Sequence, residues 1–166
     1  MVGEIRDAET AAIAVRAAMT GHLVLATIHA GRAEEIPARF FEMGIAPYLL
    51  AASLSLVMSQ RLVGELCPHC RREIGEVTRV TARGVRSYQG AEADGCEQCL
   101  ATGIVRRSGV FELLPIGEQV RRAWQAGRAT MPEPPQETIT DRIESFLQAG
   151  IIGWSEASGL LAEVVS

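Results

Sequence analysis

Lysine is absent from this chain, because all sixteen of its Lys and Arg residues are arginines. The phosphate-binding loop G-x-x-x-x-G-K-[ST] needs a lysine beside its backbone N–H groups. No run of that form occurs anywhere in the 166 residues. The chain by itself therefore lacks that phosphate-binding element.

Long apolar runs and aromatic side chains are also scarce, and positive charges are outnumbered by negative ones. The longest apolar candidate, Tyr48 to Met58, is too short to span a bilayer and contains Ser53 and Ser55. No basic and apolar leader is present, so the sequence predicts no export signal. The net charge of -4 argues against a nucleic-acid-binding surface. A hydrophobic content of 48% with few aromatics is typical of a soluble α/β or helical domain.

The cysteines show the clearest spacing pattern. They form two C-x-x-C pairs that are 25 residues apart: Cys67, Cys70, Cys96 and Cys99. Two such turns can each present two sulfurs to one ion, which predicts a structural zinc ion with four thiolate ligands. Four nearby arginines can offset the net charge of the thiolate cluster: Arg71, Arg72, Arg106 and Arg107. His69 is a possible competing ligand, and a redox dithiol is the alternative interpretation.

The first thirty residues predict a capped helix followed by a buried strand. Ala8 to Met19 is almost entirely Ala, Ile, Val and Met, which indicates a helix packed on most of its surface. Asp7 is placed to accept a backbone N–H in the first turn. Leu23 to Ile28 is an apolar run without alternation, typical of a parallel strand covered on both faces. This order predicts a layer of an α/β domain.

Histidines stand at both ends of that predicted strand. Seven extended residues span roughly 23 Å at about 3.3 Å each, so His22 and His29 cannot both touch one phosphate if the strand is regular. Ligands bind beyond the carboxyl ends of parallel strands, which places His29 and Thr27 on the ligand side. We expect His22 to be a structural or subunit-contact residue, or simply a hydrogen-bonded histidine.

Three short sequence motifs in this stretch resemble motifs of a known protein family. GEIRD, ETA and TGHLVLATIH resemble the Walker B and histidine-box region of the ATPases that power type II secretion, type IV pilus assembly and competence DNA uptake. In that family a glutamate activates the water that attacks the γ-phosphate of ATP, and Glu4 occupies its position. The resemblance implies catalytic roles for Glu4 and His29, the latter as a γ-phosphate sensor. An isolated Glu near a chain end can also be a solvated acid.

The same resemblance covers the neighbours of these residues. Gly3 takes the place where many P-loop enzymes carry a magnesium-associated aspartate. Gly3, Thr27 and His22 are therefore expected in the nucleotide-binding region. Because so few residues precede Glu4, we expect the strand that should carry it to be missing from this chain.

The rest of the chain is predicted from local patterns. A long helix is expected from Pro47 through Leu66, and a flexible excursion from Arg71 to Gly95. The run TGIVRRSGVFELLPI resembles the family's GRTGIYELL word and predicts a strand pair around Ser108 and Gly109. Three helices and a proline-rich linker at Gly127–Gln136 complete the chain. The helices are expected at Glu118–Ala126, Thr138–Leu147 and Glu156–Val165.

The resemblance implies an α/β fold: the C-terminal part of a RecA-like P-loop ATPase domain with an inserted zinc module and a helical end. The expected segments are a partial ATPase core at 1–66, a zinc module at 67–99, the rest of the core at 100–127, and a linker with helices at 128–166. The tetracysteine insertion is found in assembly and secretion members of the family and is lacking in retraction ATPases.

The implied complete protein binds ATP and Mg²⁺ and carries structural Zn²⁺. It forms a cytoplasmic ring hexamer on an inner-membrane platform protein, without contacting nucleic acid. Lacking a P-loop, this chain is expected to be inactive alone. Two alternatives stay open: a zinc-ribbon module that contacts protein or nucleic acid, and a non-catalytic regulatory fragment.

Overall fold

A computed structural model describes residues 1–30, 32–81, 84–130, 133, 135 and 137–163. Strands and helices are mixed along this part of the chain, with two short 3₁₀ turns at Ala33–Glu35 and Glu97–Cys99. The strands are β1 (Val2–Ile5), β2 (Ala26–Ile28), β3 (Leu56–Leu66), β4 (Arg71–Thr81), β5 (Gly84–Ala93) and β6 (Ile104–Pro115). The helices are α1 (Ala8–Met19), α2 (Ile36–Glu42), α3 (Pro47–Ser53), α4 (Glu118–Gln125), α5 (Ile139–Gln148) and α6 (Trp154–Glu163).

The chain divides into two compact units, and each unit is made of two stretches that are separate in the sequence. The first comprises Met1–Ser59 and Glu112–Gln136, and the second comprises Gln60–Phe111 and Glu137–Ser166. Strands β3 and β6 pair with each other, and each passes from one unit to the other. The sequence-based limits at 66, 99 and 127 stay a prediction.

The first unit contains a β1–α1–β2 segment in which the two strands pair in parallel. Asp7 caps α1, as predicted, by accepting the N–H of Thr10 at 2.8 Å. The helix buries Ala11, Ala14 and Val15, whose spacing places them on one face. The predicted helix is confirmed with its predicted bounds, but the expectation that it is packed on most of its surface was wrong, because Ile13 and Met19 are exposed.

Glu4 lies on a strand, contrary to the expectation that its strand is missing. The four residues of β1 are enough to pair with β2, with Val2 opposite Ala26 and Ile5 opposite Ile28. Ile5 is buried in the core of the unit, which anchors the strand. A strand of four residues can form here because Ile5 is buried and the partner strand β2 follows within the same β1–α1–β2 segment.

The predicted strand Leu23–Ile28 is only partly correct. Only Ala26–Ile28 is extended and paired, and Leu23 is 87% exposed. Within the described residues β2 has β1 as its only strand neighbour. Ala26 and Thr27 are exposed and Ile28 is half-buried. The strand is therefore confirmed only for its second half, and the prediction that both of its faces are covered was wrong for the whole run.

The long helix predicted after Pro47 was also wrong. Helix α3 ends at Ser53, and the following residues form strand β3. Val57 and Val63 are buried in β3, whereas Leu56, Met58 and Leu62 are exposed. Pairing with β6, which lies about fifty residues further along the chain, decides the strand conformation here.

Two further predictions fail for the region that follows. Arg71–Gly95 was expected to be a flexible excursion, but β4 and β5 form an antiparallel hairpin. Its paired residues run from Arg71 opposite Ala93 to Thr81 opposite Gly84. Its tip, residues 82–83, lies outside the described residues. The strand pair expected around Ser108 and Gly109 is one continuous strand, β6. Each error comes from cross-strand pairing, which local periodicity does not report.

The core of the second unit combines side chains from strands and helices. The most deeply buried members of this core among the described residues are Val63, Val110, Ile143, Leu147, Ile152, Ala157 and Leu161. Thr138 begins α5 with a capping box, accepting from the N–H of Asp141 while Asp141 accepts from the N–H of Thr138.

The predicted helices at 118–126 and 138–147 are confirmed within about one residue, and the third lies at Trp154–Glu163. Residues 164–166, and residues 131, 132, 134 and 136 of the predicted linker, lie outside the described residues. Within the described part of the chain, none of the helices combines the length and the hydropathy that a bilayer crossing requires.

Candidate functional site

A cleft of about 360 Å³ opens in the first unit beside the ends of both parallel strands. Glu4 lies near the end of β1 and His29 directly follows β2, so both reach the same edge of the sheet. Ligands of parallel α/β sheets bind at this edge. The lining residues are Glu4, Ile5, Arg6, Ile28, His29, Arg39, Glu42 and Met43. The structure thus brings together the two residues that the sequence predicted as catalytic.

Glu4 is held in the cleft as a carboxylate. Arg6 donates Nη2 to Oε2 of Glu4 at 2.6 Å. This hydrogen bond lowers the pKa of Glu4, and the neighbouring His29 acts in the same direction. A half-buried carboxylate that stays ionised can orient a water molecule and accept its proton.

The other residues predicted for nucleotide binding do not line this cleft within the described residues. Thr27 donates its hydroxyl to the backbone oxygen of Gly3, which ties β2 to β1. His22 lies at the end of α1, with Nδ1 3.1 Å from Thr20 Oγ1 and 3.2 Å from the backbone oxygen of Ala17. Their nucleotide-binding roles stay predictions.

Helix α2 contributes residues to the cleft that the sequence did not single out. Arg39 and Glu42 form an ion pair at 3.3 Å across one turn of the helix, and Met43 follows them. An i,i+3 pair on a helix is a common surface feature, so nothing in the sequence marked it as part of a site. Only the packing of α2 beside the strand ends reveals it.

The second unit gathers all four cysteines into one cluster. Their Sγ atoms lie within 4.8 Å of one another, and none is in a disulfide. Three separations are 3.8 Å: Cys67 to Cys96, Cys70 to Cys99, and Cys96 to Cys99. A tetrahedron with metal–sulfur bonds of about 2.3 Å has sulfur–sulfur edges of about 3.8 Å. The cluster can therefore hold one tetrahedral metal ion.

Backbone groups shape this cluster. The N–H groups of Cys96 and Gly103 each lie 3.2 Å from Cys99 Sγ. Burial alone raises the pKa of Cys99, but these hydrogen bonds outweigh it and bring the pKa to about 6. For Cys70 burial dominates and raises the pKa to about 12. Gly95 is required beside the cluster, because at its φ of 92° a Cβ would lie 2.6 Å from the backbone oxygen of Ala101.

Two of the four arginines expected to balance the thiolates have carboxylate partners. Arg72 pairs with Asp94 at 2.8 Å, and Arg106 pairs with Glu65 at 2.8 Å. Glu65 also accepts from the hydroxyl of Ser108. The bond from Ser108, followed by that from Arg106, lowers the pKa of Glu65.

A buried ion cluster ties the β4–β5 hairpin to α5. Glu144 is 6% exposed and accepts from Arg79 Nη1 at 3.0 Å and from Arg86 Nη1. Arg79 also donates to the backbone oxygen of Leu161 at 3.1 Å. The paired residues lie 65 and 58 positions apart in the sequence, so local sequence patterns do not predict either ion pair.

The family model for "Type II/IV secretion system protein" matches residues 1–162. The chain belongs to this family. Type II secretion system protein E of Klebsiella pneumoniae is 46% identical over 164 residues, which cover 94% of this chain and 33% of that protein. Type IV pilus assembly ATPase PilB of Thermus thermophilus is 42% identical over 138 residues, 78% of this chain and 15% of that protein.

The fold is also shared with a solved structure. The X-ray structure of the Legionella pneumophila ATPase DotB superposes with a TM-score of 0.58 at 21% identity, covering 98% of this chain and 38% of that chain. The chain thus spans at most about a third of the length of these curated relatives. The chain has a mixed α/β fold, which it shares with that structure.

Proposed function

We propose that this chain is the C-terminal portion of an ATPase that powers type II protein secretion or type IV pilus assembly. In this proposal Glu4 is the catalytic carboxylate and His29 senses the γ-phosphate of ATP. The chain supplies this half of the nucleotide site, and a P-loop elsewhere in the complete protein supplies the other. The 166 residues alone neither bind nor hydrolyse ATP measurably.

The observation that carries the proposal is the meeting of Glu4 and His29 at one cleft. They lie 25 positions apart in sequence and reach it from the ends of two paired parallel strands. A carboxylate and an imidazole at that edge are the groups needed to orient a water and contact a phosphate.

Magnesium would accompany ATP and neutralise phosphate charge. Gly3 has no side-chain oxygen to offer it, and Mg²⁺ in such sites takes most of its ligands from phosphates and water.

The test uses the complete polypeptide encoded by the reading frame that contains this chain. Glu4→Gln should abolish ATP hydrolysis while ATP binding, measured by calorimetry, is retained. Glu9→Gln is the matched control, because Glu9 is an exposed carboxylate in the first turn of α1. Hydrolysis at the unchanged rate in Glu4→Gln, or a reading frame without a P-loop, would overturn the proposal in favour of a non-catalytic module.

We also propose that the four-cysteine cluster holds a structural zinc ion. Four thiolates fill a tetrahedral shell, so no position remains for a substrate. Elemental analysis should find about one zinc per chain, and Cys96→Ser should lower that content. A content near zero in protein purified without chelator would overturn the zinc assignment and leave the redox dithiol.

The complete protein is proposed to form a ring hexamer in the cytoplasm, docked peripherally on an inner-membrane platform protein. Family membership supports this arrangement. Analytical ultracentrifugation of the complete polypeptide with nucleotide tests the hexamer directly.

A further inference from the structure

Arg6 lies beside the candidate catalytic carboxylate and pairs with it. It lies two residues after Glu4, and its Nη2 is 2.6 Å from Oε2 of Glu4. Side chains two positions apart on an extended backbone project to the same side. The pairing therefore follows from the local chain path.

The two partners differ in how they meet solvent. The side chain of Glu4 is 32% exposed and that of Arg6 is 76% exposed, so Arg6 is the more solvent-accessible partner of the pair. Within the described residues, Oε1 of Glu4 accepts no hydrogen bond. One oxygen of this carboxylate is held and the other is free.

This arrangement suits a group that must present one oxygen accurately. When water attacks the γ-phosphorus of ATP, an O–H proton passes to the carboxylate. A P–O bond to phosphorus forms, and the bond from phosphorus to the β,γ-bridging oxygen breaks to release ADP. A carboxylate that rotates freely places its accepting oxygen correctly for only part of the time, and such misplacement is costly in rate.

We propose that Arg6 is a positioning residue that holds Oε2 of Glu4 and so leaves Oε1 to accept the proton of the attacking water. This rests on the proposed function, in which Glu4 is the catalytic carboxylate. In this role Arg6 acts through Glu4 and contacts neither ATP nor the water. Its removal therefore affects the chemical step and leaves nucleotide binding unchanged.

Folding should be almost unaffected by losing Arg6. Ion pairs between exposed partners contribute little to stability, because water screens the charges and long side chains lose freedom on pairing. A kinetic defect in an Arg6 variant can thus be separated from misfolding by measuring its thermal midpoint.

The experiment compares Arg6→Gln and Arg6→Lys in the complete polypeptide. Arg6→Gln should lower kcat about 10- to 100-fold with the KM for ATP nearly unchanged, and Arg6→Lys should restore part of the loss. The acidic limb of the pH–rate profile should move to higher pH, because removing the guanidinium raises the pKa of Glu4. Arg122→Gln is the matched control, since Arg122 forms an exposed pair with Glu118 on α4.

The possible results separate this proposal from the function on which it rests. An unchanged kcat in Arg6→Gln overturns the positioning role, and so does a raised KM with unchanged kcat, which would make Arg6 a nucleotide contact. If Glu4→Gln retains full hydrolysis, the proposed function itself fails. If Glu4→Gln is inactive while Arg6→Gln is fully active, only the positioning role fails.

Discussion

The buried carboxylate of Glu144 offers the sharpest test of how the second unit is held together. Its side chain is 7% exposed and pairs with Arg79, which is 14% exposed, and with Arg86, which is 44% exposed. Substitution to Gln keeps the shape of the side chain but removes the charge. Arg86 can then return to water, whereas Arg79 stays enclosed without its counter-ion.

The difference in exposure between Arg79 and Arg86 sets the expected loss in the free energy of unfolding. Removing one partner of a buried ion pair costs about 3–5 kcal/mol, because the remaining charge stays desolvated. Only one of the two arginines is left enclosed, and Arg79 keeps its bond to the backbone oxygen of Leu161. We therefore expect about 3 kcal/mol for Glu144→Gln, near the lower end of that range. For a chain of this size this corresponds to a fall of roughly 6–12 °C in Tm.

The assay combines urea unfolding with hydrogen exchange read by mass spectrometry. Glu118→Gln is the matched control, since it also removes a helical Glu paired with Arg, at 70% exposure, and should cost no more than about 0.5 kcal/mol. Faster exchange in Glu144→Gln should appear in the peptides of α5 and of the β4–β5 hairpin. Equal costs for the two variants, or faster exchange confined to the first unit, would refute the reasoning.

Three further predictions concern local structure. The hydrogen bond from Thr10 lowers the pKa of Asp7 below its ordinary 3.8. The Asp7 cap should therefore stabilise α1 above about pH 4 and lose this effect as the pH falls further, which circular dichroism should show as a loss of helix signal. The Asp7→Asn variant should lack this acid dependence. Thr138→Ala should cost about 1 kcal/mol in urea unfolding through loss of the α5 capping box. Leu147→Ala should cost about 3–5 kcal/mol in the same assay, because Leu147 is fully buried, whereas exposed Leu100→Ala should cost little.

Predictability differed sharply between helices and strands. The helix α1 and its Asp7 cap could be read from composition and one capping residue, because both are decided within a few residues of chain. Strand β3 could not, because its partner β6 lies about fifty residues further along the chain. The β4–β5 hairpin was missed although its strands are adjacent in the chain, because their apolar and polar side chains do not alternate cleanly. Leu23 and Leu25 were predicted to lie in a buried strand because they are apolar, but both are exposed in the described fold.

The sequence by itself determined which donor groups each candidate site can offer, since the spaced cysteines and the GEIRD and TGHLVLATIH motifs contain those groups. Only the tertiary structure decided which of those groups meet. It placed Glu4 with His29 and excluded Gly3, Thr27 and His22 from the cleft lining. It also added Arg39 and enclosed Glu144 between two arginines. The physical reason is that residue type sets what a side chain can bind, whereas strand pairing and helix packing set which side chains share a cavity.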